Sequence, residues 1–160
     1  MTPWRGWGGC LLLTAGLVMA LAGPAVAPAS AQTLSLTLSR TTIPFASADP
    51  DSTPSIAAPT MTVTYRVRNN RGDWRITLLA SGDLSSGAAS IPISNVSWVA
   101  TPAPPFTAGF MNATVEQTLA SGSGNVNPSQ SAQVTFFLAN SWDYDVGTYS
   151  ALFTFTLVAP

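Results

Sequence analysis

Seven carboxylates hold most of the reactive chemistry in this chain of 160 residues: Asp49, Asp51, Asp73, Asp83, Glu116, Asp143 and Asp145. Two carboxyl groups placed across a cleft can hydrolyse a glycosidic bond. Most of these acids fall in stretches rich in Gly, Ser, Asn and Pro that read as turns. There Asp is common because it hydrogen-bonds its own backbone, so catalysis is not the expectation. Asp143 and Asp145 stand two apart, with Asn140 just before them. Oxygen ligands at alternate positions suit Ca²⁺, but a full loop also needs a bidentate Glu further on, and none follows. The pair reads as a solvated turn. No cofactor is expected.

The missing residue types exclude more. There is no His, so Ser-His-Asp and Cys-His catalysis lack their base. There is no Lys, which removes Ser-Lys variants. The single Cys, Cys10, leaves no zinc site of the His/Cys kind. Net charge is −1, with no basic excess to neutralise phosphates, so nucleic acid is not an expected partner.

Trp74, Trp98, Trp142 and Tyr144 stand outside simple alternation. An aromatic ring exposed on a β-sandwich can stack on a sugar, whereas a buried one is core. Trp98, Trp142 and Tyr144 are therefore the candidates for a glycan ligand. Arg71-Gly72-Asp73 matches the integrin-binding tripeptide but lies where a turn demands Gly. Asn95-Val96-Ser97 and Asn112-Ala113-Thr114 fit the N-glycosylation pattern, a pattern that recurs easily in a chain so rich in Ser and Thr.

The elements that position these residues come after a leader. Residues 1–31 carry Arg5, an apolar run from Leu11 to Ala22, a Gly23-Pro24 break and a small-residue end, Ala29-Ser30-Ala31. That is the pattern of a signal peptide cleaved between Ala31 and Gln32. The run of about a dozen apolar residues falls short of the roughly 20 that span a bilayer, so no membrane span is expected in the mature form. Secretion to the periplasm, the cell surface or the medium follows. The mature chain has no Cys, so apolar burial and hydrogen bonds must hold the fold.

Thr or Ser alternating with large apolar residues is the recurring pattern beyond the leader. In Thr33–Ser39 it places Leu34, Leu36 and Leu38 on one face. Met61–Arg68 repeats it with Val63, Tyr65 and Val67. Asn69–Asp73 reads as a hairpin turn and Trp74–Ala80 as its return strand. Short strands are expected at Ile91–Ile93 and Asn95–Ala100. Three prolines bar Thr101–Pro105 from a sheet interior. Met111–Leu119 and Val134–Leu138 are further strands, and Thr148–Val158 is a long one with Tyr149, Phe153, Phe155 and Leu157 on one face. Ser81–Ser90, Ser121–Gln130 and the Pro-rich residues 40–60 read as loops. About seven strands at such intervals predict an all-β, antiparallel, Ig-like β-sandwich. Its divisions are a signal peptide at 1–31, an N-terminal strand with its connection at 32–60, and a sandwich core at 61–160.

Asp145-Val146-Gly147-Thr148-Tyr149-Ser150-Ala151 resembles the immunoglobulin-fold signature Asp-x-Gly-x-Tyr-x-Cys, with Ala151 in place of the Cys. The resemblance gives Gly147 and Tyr149 a structural role at the start of a late strand. Residues 134–160 also resemble the closing segment of small secreted bacterial surface proteins of fimbrial and spore-coat type. That likeness implies assembly with itself or with other surface subunits, sometimes through a donated N-terminal strand. Leu34–Leu38, ahead of a Pro-rich connection, has the composition a donor strand needs. Pairing within its own sandwich is the simpler fate for the same residues. The expectation is a non-catalytic exported structural or adhesive subunit, with a secreted carbohydrate-binding module as the alternative.

Overall fold

A computed structural model describes residues 31–159 apart from Asn70 and Val146. The expected signal helix therefore lies outside the described residues. No helix among those described is long and apolar enough to cross a membrane.

The chain is an antiparallel β-sandwich. Its strands are β1 (Thr33–Leu38), β2 (Ser55–Ala57), β3 (Met61–Arg68), β4 (Asp73–Ala80), β5 (Leu84–Ser86), β6 (Ala89–Ile91), β7 (Val96–Thr101), β8 (Gly109–Phe110), β9 (Gln117–Ser123), β10 (Val126–Ala139) and β11 (Phe153–Val158). Seven of them run six residues or more. The other four are two or three residues long, too short for any period to announce them. One sheet has the order β1-β3-β10-β7-β8, with β2 beside the last residues of β10. The facing sheet has the order β11-β4-β9, and β5 and β6 form a small separate hairpin.

Period-two patterning builds the core. Met61, Val63, Tyr65 and Val67 of β3 point inward, as do Val134, Phe136 and Leu138 of β10 and Ile76 and Leu78 of β4. Rings cross between the sheets: Tyr65 lies 4.9 Å from Trp74, and Phe136 lies 5.6 Å from Phe153.

The structure corrects five local expectations. Asn69–Asp73 is not a hairpin turn, because β3 pairs with β1 and β10 while β4 pairs with β9 and β11. The segment carries the chain from one sheet to the other. Both flanking strands have a strongly apolar face, and facing each other across the core buries both. Ser121–Gln130 is not a loop: β9 runs to Ser123 and β10 begins at Val126. Backbone pairing there outweighs weak side-chain propensity. The strand expected at Met111–Leu119 begins only at Gln117, because Asn112 Oδ1 accepts bonds from the backbone N–H groups of Thr114 and Val115 and folds that stretch into a turn. The last strand begins at Phe153 rather than Thr148, although Ser150 makes an isolated bridge to Ser85. Within 40–60, which reads as irregular, Ser55–Ala57 adds to the main sheet against β10.

Candidate functional site

The strand directions give the sandwich two unlike ends. β3, β9 and β11 finish at one end, where β4 and β10 start. Arg66, Arg68, Arg71 and Arg75 cluster toward this end, with Asp73 the only acid among them. At the other end β10 finishes, and the loops around Asp49, Asp51, Asp83, Glu116, Asp143 and Asp145 gather there. Arg40 lies past the end of β1, after Ser39, whose N–H bonds the Thr62 carbonyl. Four of the five arginines among the described residues therefore lie toward one end and six of the seven acids toward the other, with Arg40 and Asp73 the exceptions, a distribution that alternation along single strands does not reveal.

Trp142 is the exposed aromatic ring at the acidic end. Asn140 builds the platform beneath it. Its Nδ2 donates to the carbonyls of Ala48 and Thr53, and its N–H donates to that of Pro54. These bonds hold the 48–54 loop against the start of the 140–145 loop. Trp142 Nε1 then donates to Asp51 Oδ1 at 3.1 Å, and Ser141 Oγ donates to Asp143 Oδ2. The indole is 68% exposed. It is pinned outward by its own N–H rather than folded onto the core, although burying a large ring is normally favourable.

The other candidates are placed differently. Trp98 is a core residue at 2% exposure, its Nε1 donating to the Thr107 carbonyl. Its faces are covered, so it is removed as a stacking residue; Val96 and Ala100 of the same strand share its inward parity. Tyr144 is half-buried, with its hydroxyl accepting a bond from Asn95 Nδ2. Asp143 and Asp145 are both exposed, and among the described residues no three His, Cys, Asp or Glu side chains converge as a metal site. Tyr149 Oη donates to the Asp145 carbonyl at 2.8 Å, the kind of backward bond that closes a tyrosine corner. A Cβ on Gly147 would stand 2.5 Å from Ser86 Oγ, so the loop there packs tightly on β5. Ala31 accepts a bond from Asn69 Nδ2, and Gln32 is exposed just before β1.

At the arginine end the two sheets part into an open groove of about 1000 Å³. Leu34 of β1 forms one lip, and Leu157 and Val158 of β11 form another. Trp74 and Gly122 line its wall, and Asp73 and Arg75 sit on its rim. Trp74 stands opposite Gly122 in the β4–β9 register, as Trp98 stands opposite Gly109 in the β7–β8 register. Each indole lies over a strand glycine, and an added Cβ would come within 2.5 Å and 2.6 Å of the rings. Trp74 Nε1 is buried and has no hydrogen-bond partner, a state that costs about 1–3 kcal/mol. Sequence reading missed this groove. Its lining comes from four strands far apart in the chain, and the only local signal was Gly122 within an apparent loop.

No family model matches the chain, and no curated protein or solved structure shows a match to it.

Proposed function

We propose that the chain is an exported, non-catalytic structural subunit of a cell surface that assembles with further copies of itself. The observation that carries this reading is the outer edge of β1. A free strand edge presents unpaired N–H and C=O groups to other chains, and folds that must stay monomeric block such edges with Lys, Pro, bulges or charge. β1 has the sequence Thr-Leu-Ser-Leu-Thr-Leu. It holds no proline and no charge, and it pairs with β3 from Thr33–Arg68 to Leu38–Val63 without a shift. Among the described residues only one of its edges is paired. Leu34, Leu36 and Leu38 thus serve their own sandwich while the outer edge stays open, and Leu34 remains 37% exposed. The low content of charged residues, 8% of the chain, supports close packing between copies, since little ionic hydration must be removed. Donation of β1 to a neighbour is a variant of the same reading. The leader and the likeness of residues 134–160 to secreted surface subunits support the compartment.

Sedimentation of the exported chain over a range of concentrations tests the assembly. Ser35 and Thr37 are exposed on the outer face of β1, so Ser35→Lys with Thr37→Lys charges the edge without touching the core. The wild type is expected to form concentration-dependent oligomers, and the double variant to need at least about tenfold more protein for the same degree of association. A wild type that stays monomeric throughout would refute the reading.

A second reading, glycan binding, has one observation in its favour: the pinned and exposed Trp142 ring beside the Asp51 and Asp143 carboxylates. Retention on a glycan array that disappears with Trp142→Ala is its signature. An empty array disposes of it.

A further inference from the structure

The two ends of the sandwich complement each other in shape and in charge. Among the exposed apolar groups toward the acidic end, Val115, Leu152 and Trp142, Trp142 is the ring, and its loop is held by Asn140 and Asp51. The arginine end carries an apolar groove between Leu34, Trp74 and Val158. Its volume, about 1000 Å³, is at the upper end of the roughly 300–1,000 Å³ of pockets that take drug-sized ligands, ample for an indole and the residues beside it. Around Trp142 stand Asp51 and Asp143; on the rim of the groove stand Arg75 and Asp73, at the end toward which Arg66, Arg68 and Arg71 also lie. A projection and a groove on different faces of one molecule cannot meet within that molecule. Such parts can join only between copies, and a heterologous contact of that kind leaves both outer ends of a dimer unsatisfied, so it extends.

We propose that copies of this chain stack head to tail, Trp142 of one copy entering the groove between Leu34, Trp74 and Val158 of the next. This rests on the reading that the chain assembles with itself, and adds the axis and polarity of assembly. The occupant is a second copy rather than a sugar because the same molecule supplies both halves of the contact. Charge supports the same choice: the carboxylates beside Trp142 face arginines across the joint, an arrangement that favours the correct encounter and disfavours like ends meeting. Trp74, with its indole N–H unpartnered in the groove wall, lines the surface that the incoming loop covers. An inserted Trp surrounded by a polar rim is also the usual anatomy of a contact that carries most of its energy in one residue. The β1 edge then remains free for lateral contacts between stacks.

The test uses sedimentation velocity on the exported chain carrying Ser35→Lys and Thr37→Lys, so that lateral pairing is suppressed. Trp142→Ala removes the projection. Ser121→Trp fills the groove from an exposed position on β9, and Val158→Asp serves as a second groove variant should the first disturb the strand. Each single variant is expected to weaken association at least about tenfold. Mixing the Trp142 variant with a groove variant should restore one intact joint and give a dimer of one copy of each that does not extend. Raising the salt from about 0.02 M to about 0.5 M should weaken the joint, since the Debye length falls well below the span of the charged ends. Monomeric protein on this background, beside an assembling wild type, would overturn head-to-tail stacking while leaving self-assembly intact. Variants that associate as their parent does would also overturn it, as would Trp142-dependent glycan retention with no effect on sedimentation. A monomeric wild type would bring down both readings.

Discussion

Each of the two strand tryptophans rests on a glycine directly across the ladder, and that pairing sets a sharp limit on substitution. Trp74 over Gly122 and Trp98 over Gly109 leave no room for a methyl group. Neither glycine has a positive φ, so the demand is for space and not for backbone freedom. Gly122→Ala and Gly109→Ala are expected to lower stability by about 1–3 kcal/mol, the usual cost of overpacking, and a chemical denaturation midpoint equal to the wild type would contradict this. Gly122→Ala has a second consequence, because displacing Trp74 reshapes the groove wall. Near the last strand, Tyr149 Oη donates to the Asp145 carbonyl. Trp98 was not assignable from sequence alone. Its neighbours permit either parity, and only the β10 register, with Phe136 opposite, decides that it points inward.

At the level of elements, the connection Asn69–Asp73 shows how local signals specify a reversal but not its destination. Asn and Gly favour a turn, and a turn is present. Which strands it joins depends on where two apolar faces find partners, and here they find each other across the core. Asn69 has φ 58°, the left-handed region that Asn tolerates and β-branched residues avoid. Its side chain also holds Ala31, a contact that signal cleavage at Gln32 would remove. Asn69→Val is expected to cost about 1–2 kcal/mol and Asn69→Gly little, as read from thermal unfolding of the two variants. Equal losses would show that the side-chain bond, not the backbone, sets the cost. β1 illustrates the converse. Its alternation was plain in the sequence, and so was its lack of charge. Its position at an edge was not, since nothing in six residues says whether a strand has one neighbour or two.

For the whole molecule, composition dictates an unusual response to pH. The chain has no His and no Lys, so no side chain other than Cys10 belongs to a type that ordinarily titrates between about pH 6 and pH 9. Folding stability should be flat over that range. Burial raises the pKa of the Tyr65 phenol above its ordinary value of about 10. The unfolded chain therefore ionises this Tyr first, and the folded state holds the extra proton. Stability is fully present below about pH 10 and falls as pH rises from there toward the raised folded value. Tyr65→Phe should remove that part of the alkaline decline, which denaturation midpoints measured from about pH 7 to pH 11.5 would reveal. A marked slope near pH 7 would be inconsistent with the composition. Ionic strength, rather than pH in this window, is then the variable that should govern contacts between the acidic and arginine ends.

The strand-rich class, the inward faces of β3, β4 and β10, and the lack of His and Lys were legible before any fold was known. These are properties of residue type and of period two, which need no knowledge of distant neighbours. The folded arrangement was needed to show which strands share a sheet, that Trp98 is core while Trp142 projects, and that most arginines and most carboxylates gather at opposite ends with a groove at one of them. Such features depend on contacts between residues far apart in the chain. Alternation along a single strand fixes which face is buried, but it carries no information about which partner buries it.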